Sequence, residues 1–136
     1  MKCPEHTLIT CKRTFEDTRA ALEEATPSIN YAYRAHLESD NYEAALEALD
    51  AFPCLNNFTE EPRDFGRLLK FAGEHGRQAL QYQIGNQLTA TTMAKYRVEA
   101  SLYLPVTVLL RMDDDSVVEF EYDRPRGMMR QFGTRP

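Results

Sequence analysis

Tryptophan is absent from this 136-residue chain, and glycine (six), proline (seven) and cysteine (three) are sparse. So little glycine and proline excludes a collagen-like or low-complexity chain. An odd set of cysteines, Cys3, Cys11 and Cys54, with no C-x-x-C spacing, excludes a fully paired disulfide framework and falls short of a four-ligand zinc site. The thiols read as reduced and structural, and no metal is expected. A nucleophilic Cys54 is the sharper alternative, although neither His36 nor His75 has a sequence position that implies pairing with it. Long apolar runs are missing too. The most apolar stretch, residues 102–110, is interrupted by Pro105 and Thr107 and is far shorter than the roughly 20 residues that span a bilayer. Residues 1–20 interleave charges with single apolar side chains, unlike a signal peptide. A cytoplasmic chain with no membrane partner is the expectation. Cations are outnumbered, 16 Lys and Arg against 21 Asp and Glu, so the net charge of −5 repels phosphate polymers and no nucleic-acid partner is expected.

What is present suits one packed domain spanning residues 1–136. Hydrophobic residues make up 43% of the chain, enough at this length for a single core. A β-prone stretch at 5–12 precedes Thr14, which reads as the cap of a helix carrying Phe15, Thr18, Leu22 and Ala25 and ending at Pro27. Ser39 or Asp40 reads as the cap of a second helix, with Tyr42, Ala45, Leu46, Leu49 and Phe52 on one stripe before Pro53. A third pattern starts near Pro62 and runs through Phe65, Leu68, Leu69 and Ala72 to Gly73. The period then changes from about 3.6 to 2: Leu80, Tyr82 and Ile84 alternate with glutamines, Gly85-Asn86 reads as a turn, and 88–96 as a short helix. The strongest pattern is a hairpin, with Leu104, Val106, Val108, Leu110 and Met112 returning as Val118, Phe120 and Tyr122 on the same side. Thr107, Arg111, Glu119 and Glu121 make its other face polar. Residues 124–136 hold four arginines and no acid, a basic tail on the surface. The pattern predicts an α+β fold in which an antiparallel curved sheet has helices packed on one face.

The run Tyr82-Gln-Ile-Gly-Asn-Gln87, then Leu102-Tyr-Leu-Pro-Val106 leading into the hairpin, then Tyr122-Asp-Arg-Pro125, resembles domain-of-unknown-function family 302. The likeness spans roughly residues 80–125, with residues 14–24 similar to the family's opening helix. The chain departs from the family at Gln87, where proline is usual, and across 28–77. The resemblance implies a small α+β fold of the TATA-binding-protein-like class, often a homodimer. It implies no activity.

Phosphate-binding loops, dinucleotide fingerprints, nucleophile elbows, zinc-protease motifs and calcium loops are all missing, so no cofactor is expected. The remaining place for chemistry is a hollow between sheet and helices, walled by apolar side chains with a few polar groups. Tyr82 and Tyr122 point to the apolar face, where they read as core side chains or, alternatively, as lining of that hollow, and Asn86 sits where a strand hands over to a helix. Lys95, Tyr96 and Arg97 form a basic-aromatic patch able to clamp an anion, and His36 lies among Tyr31, Tyr33 and Arg34. Two readings follow. One is a cofactor-free domain that binds an aromatic or apolar small molecule through Asn86, Tyr96, Lys95, Tyr122 and His36. The other is a small biosynthetic enzyme of isomerase, cyclase or lyase type, with His75 or Tyr82 as acid or base and Asn86 orienting a carbonyl.

Overall fold

The computed structural model describes residues 5–28, 31–51, 58–59 and 61–130. Cys3, Cys54, Phe52, Pro53 and the tail beyond residue 130 lie outside them.

Among the described residues, six strands make one antiparallel sheet: β1 (His6–Cys11), β2 (Phe58–Thr59), β3 (Arg63–Asp64), β4 (Ala79–Gly85), β5 (Val106–Met112) and β6 (Val118–Asp123). The order is β1-β6-β5-β4, with β2 and β3 paired in succession along the far side of β4. The hairpin registers as its alternation demands: Val108 faces Tyr122, Leu110 faces Phe120 and Met112 faces Val118. On β4, Leu80, Tyr82 and Ile84 face Leu110, Val108 and Val106, so the apolar sides of three strands fuse into one sheet face.

Helix α1 (Phe15–Ala25) roofs part of that face. Thr14 caps it by accepting a hydrogen bond from the Asp17 amide, and Phe15 and Leu22 turn inward at helical spacing. The resulting core holds Phe15, Tyr82, Val108, Leu110 and Val118, with Tyr82 and Leu110 fully buried.

Helices α2 (Ala32–Glu38) and α3 (Tyr42–Asp50) pack on each other around a separate small core of Tyr33, Ala45 and Leu49. The cap of α3 is Asn41, whose side chain accepts from the Ala44 amide, rather than Ser39 or Asp40. Asp40 instead takes the left-handed conformation in the link, φ 58°, which an aspartate tolerates better than most residues. The helix expected from Pro62 is shorter: Asp64, still pairing with Leu80, caps α4 (Phe65–Leu68), which tightens to a 3-10 segment (Leu69–Ala72) and stops at Gly73, φ 82°. Gly66 must be glycine, because a Cβ there would lie 2.2 Å from the Arg77 carbonyl oxygen.

Beyond β4 comes α5 (Gln87–Ala94), then a 3-10 segment (Val98–Tyr103), and after the β5–β6 hairpin the short α6 (Pro125–Met129). Neither Gly85 nor Asn86 has a positive φ, so the expected turn is a direct strand-to-helix junction. Among the described residues no helix is long and apolar enough to cross a membrane.

Candidate functional site

The apolar sheet face is longer than α1, and the part that α1 leaves open becomes a cavity of about 570 Å³. Its floor is Ile84, Val106, Val108, Phe120 and Tyr122 from the three fused strands. One wall is α5. Asn86, Ala90 and Met93 recur at i, i+4 and i+7, which puts them on one helix face, and all three line the space. Thr26, at the end of α1, closes the opposite side, and Leu104, Pro105 and Pro125 form the rim. Gly85 is needed at that rim, since a Cβ on it would come 2.9 Å from the Cβ of Pro105.

The polar groups of the cavity are few and mostly occupied. The Thr26 hydroxyl donates to the Leu22 carbonyl at 2.7 Å. The Asn86 side-chain oxygen accepts from the Leu88 and Thr89 amides at 2.9 and 3.2 Å, which caps α5 and fixes the start of the wall. The Tyr122 ring packs edge-on against Phe120, centroids 6.0 Å apart. Among the described residues, the lining contains no Asp, Glu, Lys, Arg or His.

Of the residues singled out in the sequence, Asn86 and Tyr122 are brought together here. Tyr82 is not. It sits in the main core with its hydroxyl buried and without a hydrogen-bond partner among the described residues, and burial, followed by the Glu23 charge, pushes its pKa up to about 12. A phenol in that state holds its proton at neutral pH. His75 is exposed in the turn after the first 3-10 segment and does not line the cavity. Lys95 and Tyr96 lie past the end of α5, exposed, with the ammonium 4.9 Å from the Tyr96 ring centre, so they engage each other rather than the cavity. His36 is half-buried in α2 and its backbone carbonyl accepts from the Asn41 amide. The aromatic cluster around it is real: Arg34 lies 3.9 Å over the Tyr31 ring, with Tyr33 beside it. It also does not line the cavity.

Sequence reasoning missed Thr26, Ala90 and Met93. The spacing of 86, 90 and 93 was the available signal, masked by three threonines that leave α5 with little contrast between its faces.

The polar sheet face carries a second group of side chains. His6 on β1 lies between two carboxylates of β6, its Nδ1 2.8 Å from Asp123 and its Nε2 2.7 Å from Glu121. Arg111 of β5 donates to Glu121 from the other side and lies 3.4 Å from Glu119. The hydrogen bonds to Asp123 and Glu121 raise the His6 pKa above its ordinary 6.5, and the Arg111 bond lowers that of Glu121. Among the described residues no group of three or more His, Cys, Asp or Glu is arranged to hold a metal ion.

A search of curated proteins finds no match. Among solved structures, an uncharacterized conserved DUF302 protein from Bacillus stearothermophilus is similar, with a TM-score of 0.65 over 95% of this chain and 80% of that one. At 10% identity the likeness speaks to the fold alone. Residues 61–136 match the family described as "Domain of unknown function DUF302". That stretch holds α4, all of β4 to β6 and most of the cavity wall, and on it the chain belongs to the DUF302 family.

Proposed function

We propose that this protein binds a neutral, largely apolar small molecule, aromatic or aliphatic, in the cavity between the sheet and α5. The observation that carries the reading is the lining: a space of about 570 Å³ walled by Ile84, Ala90, Met93, Val106, Val108 and Phe120, with no ionised side chain among the described residues. That size falls within the roughly 300–1,000 Å³ of small-molecule sites. A charged guest would lose its hydration there without a counter-ion, whereas an apolar one gains from burial. Gln87, Thr89 and Tyr122 remain to orient a single carbonyl or hydroxyl. The acid–base reading draws no comparable support, because Tyr82 and His75 lie outside this lining.

Native mass spectrometry of freshly purified protein, followed by thermal-shift screening with neutral aromatics and their carboxylate analogues, tests the reading. We expect the neutral compounds to raise the melting temperature and the carboxylates to have no effect. Ala90→Trp, which places an indole in the space, should abolish the shift while the variant stays folded. A panel that never shifts the wild type, or shifts Ala90→Trp equally, overturns the proposal.

A further inference from the structure

A second hollow, of about 460 Å³, lies between the start of α1, α4 with its 3-10 extension, and the chain entering β4. Gly66 builds it. Because that residue has no Cβ, α4 rests directly on the backbone of Arg77 and Ala79, and this sets Arg67 and Lys70 beside Arg77. Arg19 joins them from α1. Four of the chain's 16 cations thus line one hollow, against two acids, Glu16 and Asp64, in a molecule whose net charge is −5.

Both acids are already engaged. Glu16 is held by Arg19, and Asp64 caps α4 by accepting from the Arg67 amide at 2.9 Å. What is left over is cationic. Lys70 is exposed and has no ion-pair partner among the described residues. Arg67 approaches Asp64 through Nε alone, at 3.8 Å, so both of its Nη groups are open. Arg77 reaches Glu74 and Asp114 at 3.7 and 3.3 Å, two exposed carboxylates outside the lining. Exposed pairs of that length hold weakly, and a guest of higher charge exchanges for them.

We propose that this hollow binds a small phosphate monoester, with Arg67 as the bidentate clamp, Lys70 and Arg77 on the remaining oxygens, and the organic part of the ester against Leu80. A phosphate group carries up to two charges and three terminal oxygens, which donors arriving from separate segments can share. A carboxylate offers one charge and two oxygens in one plane. The volume is well above that of a bare phosphate and leaves space for the esterified group. The field of the surrounding acidic chain disfavours a polyanion and so selects a small ligand. This hollow shares no lining residue with the apolar cavity, so the inference stands apart from the reading of that cavity.

Amide chemical-shift mapping on the full chain with phenyl phosphate, inorganic phosphate and benzoate tests it. Phenyl phosphate should move the amides of 66–70 and 76–79, inorganic phosphate should move the same ones at higher concentration, and benzoate should leave them in place. Lys70→Ala should weaken phenyl phosphate binding about tenfold, and Arg67→Ala combined with it should abolish binding. Both side chains are exposed, so circular dichroism of these variants should match the wild type. Lys12→Ala, the loss of an exposed charge elsewhere, should change nothing. Unmoved amides at 66–79, an equal response to benzoate, shifts centred on 95–97 instead, or a Lys12→Ala effect as large as that of Lys70→Ala overturns the inference. Equal affinity for inorganic phosphate overturns the assignment to an ester.

Discussion

Tyr82 and His6 show how far residue type alone misleads. A tyrosine on an apolar strand face, next to Gly85-Asn86, looks like a proton donor in a pocket. Its hydroxyl is instead sealed under α1 with no partner among the described residues, a cost and not a tool. Tyr82→Phe removes that unsatisfied group while keeping the ring, so it should stabilise the fold by about 1 kcal/mol, read as a higher urea midpoint at unchanged slope. A lower midpoint would mean that the hydroxyl has a partner after all. His6 drew no attention in the sequence, because the acids that grip it lie 115 and 117 residues away. Its pKa is raised in the folded chain, so the stabilisation it brings is complete below 6.5 and lost as pH rises through the higher folded value. Glu121 works in the opposite sense: its lowered pKa contributes above 4.5, and that contribution disappears as pH falls through the folded value. A series of urea midpoints against pH should therefore sag on the alkaline side of 6.5, and His6→Gln should flatten that limb while leaving most of the acid one. A wild-type profile already flat there would contradict the paired geometry.

Among the elements, those with strong periodicity were legible and the short ones were not. The α1 cap at Thr14, β4 and the β5–β6 hairpin stand where alternation and spacing put them. Helix α2 escaped notice because it has seven residues, no side-chain cap and only Tyr33 buried along its length. The 3-10 segment at Val98–Tyr103 leaves Val98 and Leu102 exposed, so burial imposes no pattern on it. The α2–α3 pair has a consequence of its own. Its core of Tyr33, Ala45 and Leu49 is separate from the main one, and Leu88 of α5 packs against it. Small, separately cored units open without global unfolding. Hydrogen exchange should find the amides of α2 and α3 less protected than those of β4 and β5, and Leu88→Ala should lower protection in the helical pair alone. Equal protection throughout would show one cooperative core.

For the molecule as a whole, the composition and periods were enough for an α+β chain with a one-sided apolar sheet, and that is what folds. What they could not supply is the order of the strands. Pairing β1 with β6 joins segments more than a hundred residues apart, and no local pattern encodes such a contact. The cavity was legible as a hollow between sheet and helices, Tyr122 as one of its residues from strand alternation and Asn86 as another from its place where a strand hands over to a helix. Its closing wall was not, since that depends on how α5 rolls after Asn86.

Helix α5 turns Asn86, Ala90 and Met93 toward the cavity and Leu88 to the α2–α3 pair on its reverse side. A single helix of eight residues thus borders the cavity on one flank and the helical pair on the other. By thermodynamic reciprocity, any occupant that braces the helix on one flank firms the helical pair on the other, and loosening that pair weakens the occupant's grip by the same factor. Substitutions at Ala45 or Leu49, remote from the hollow, would then be felt inside it.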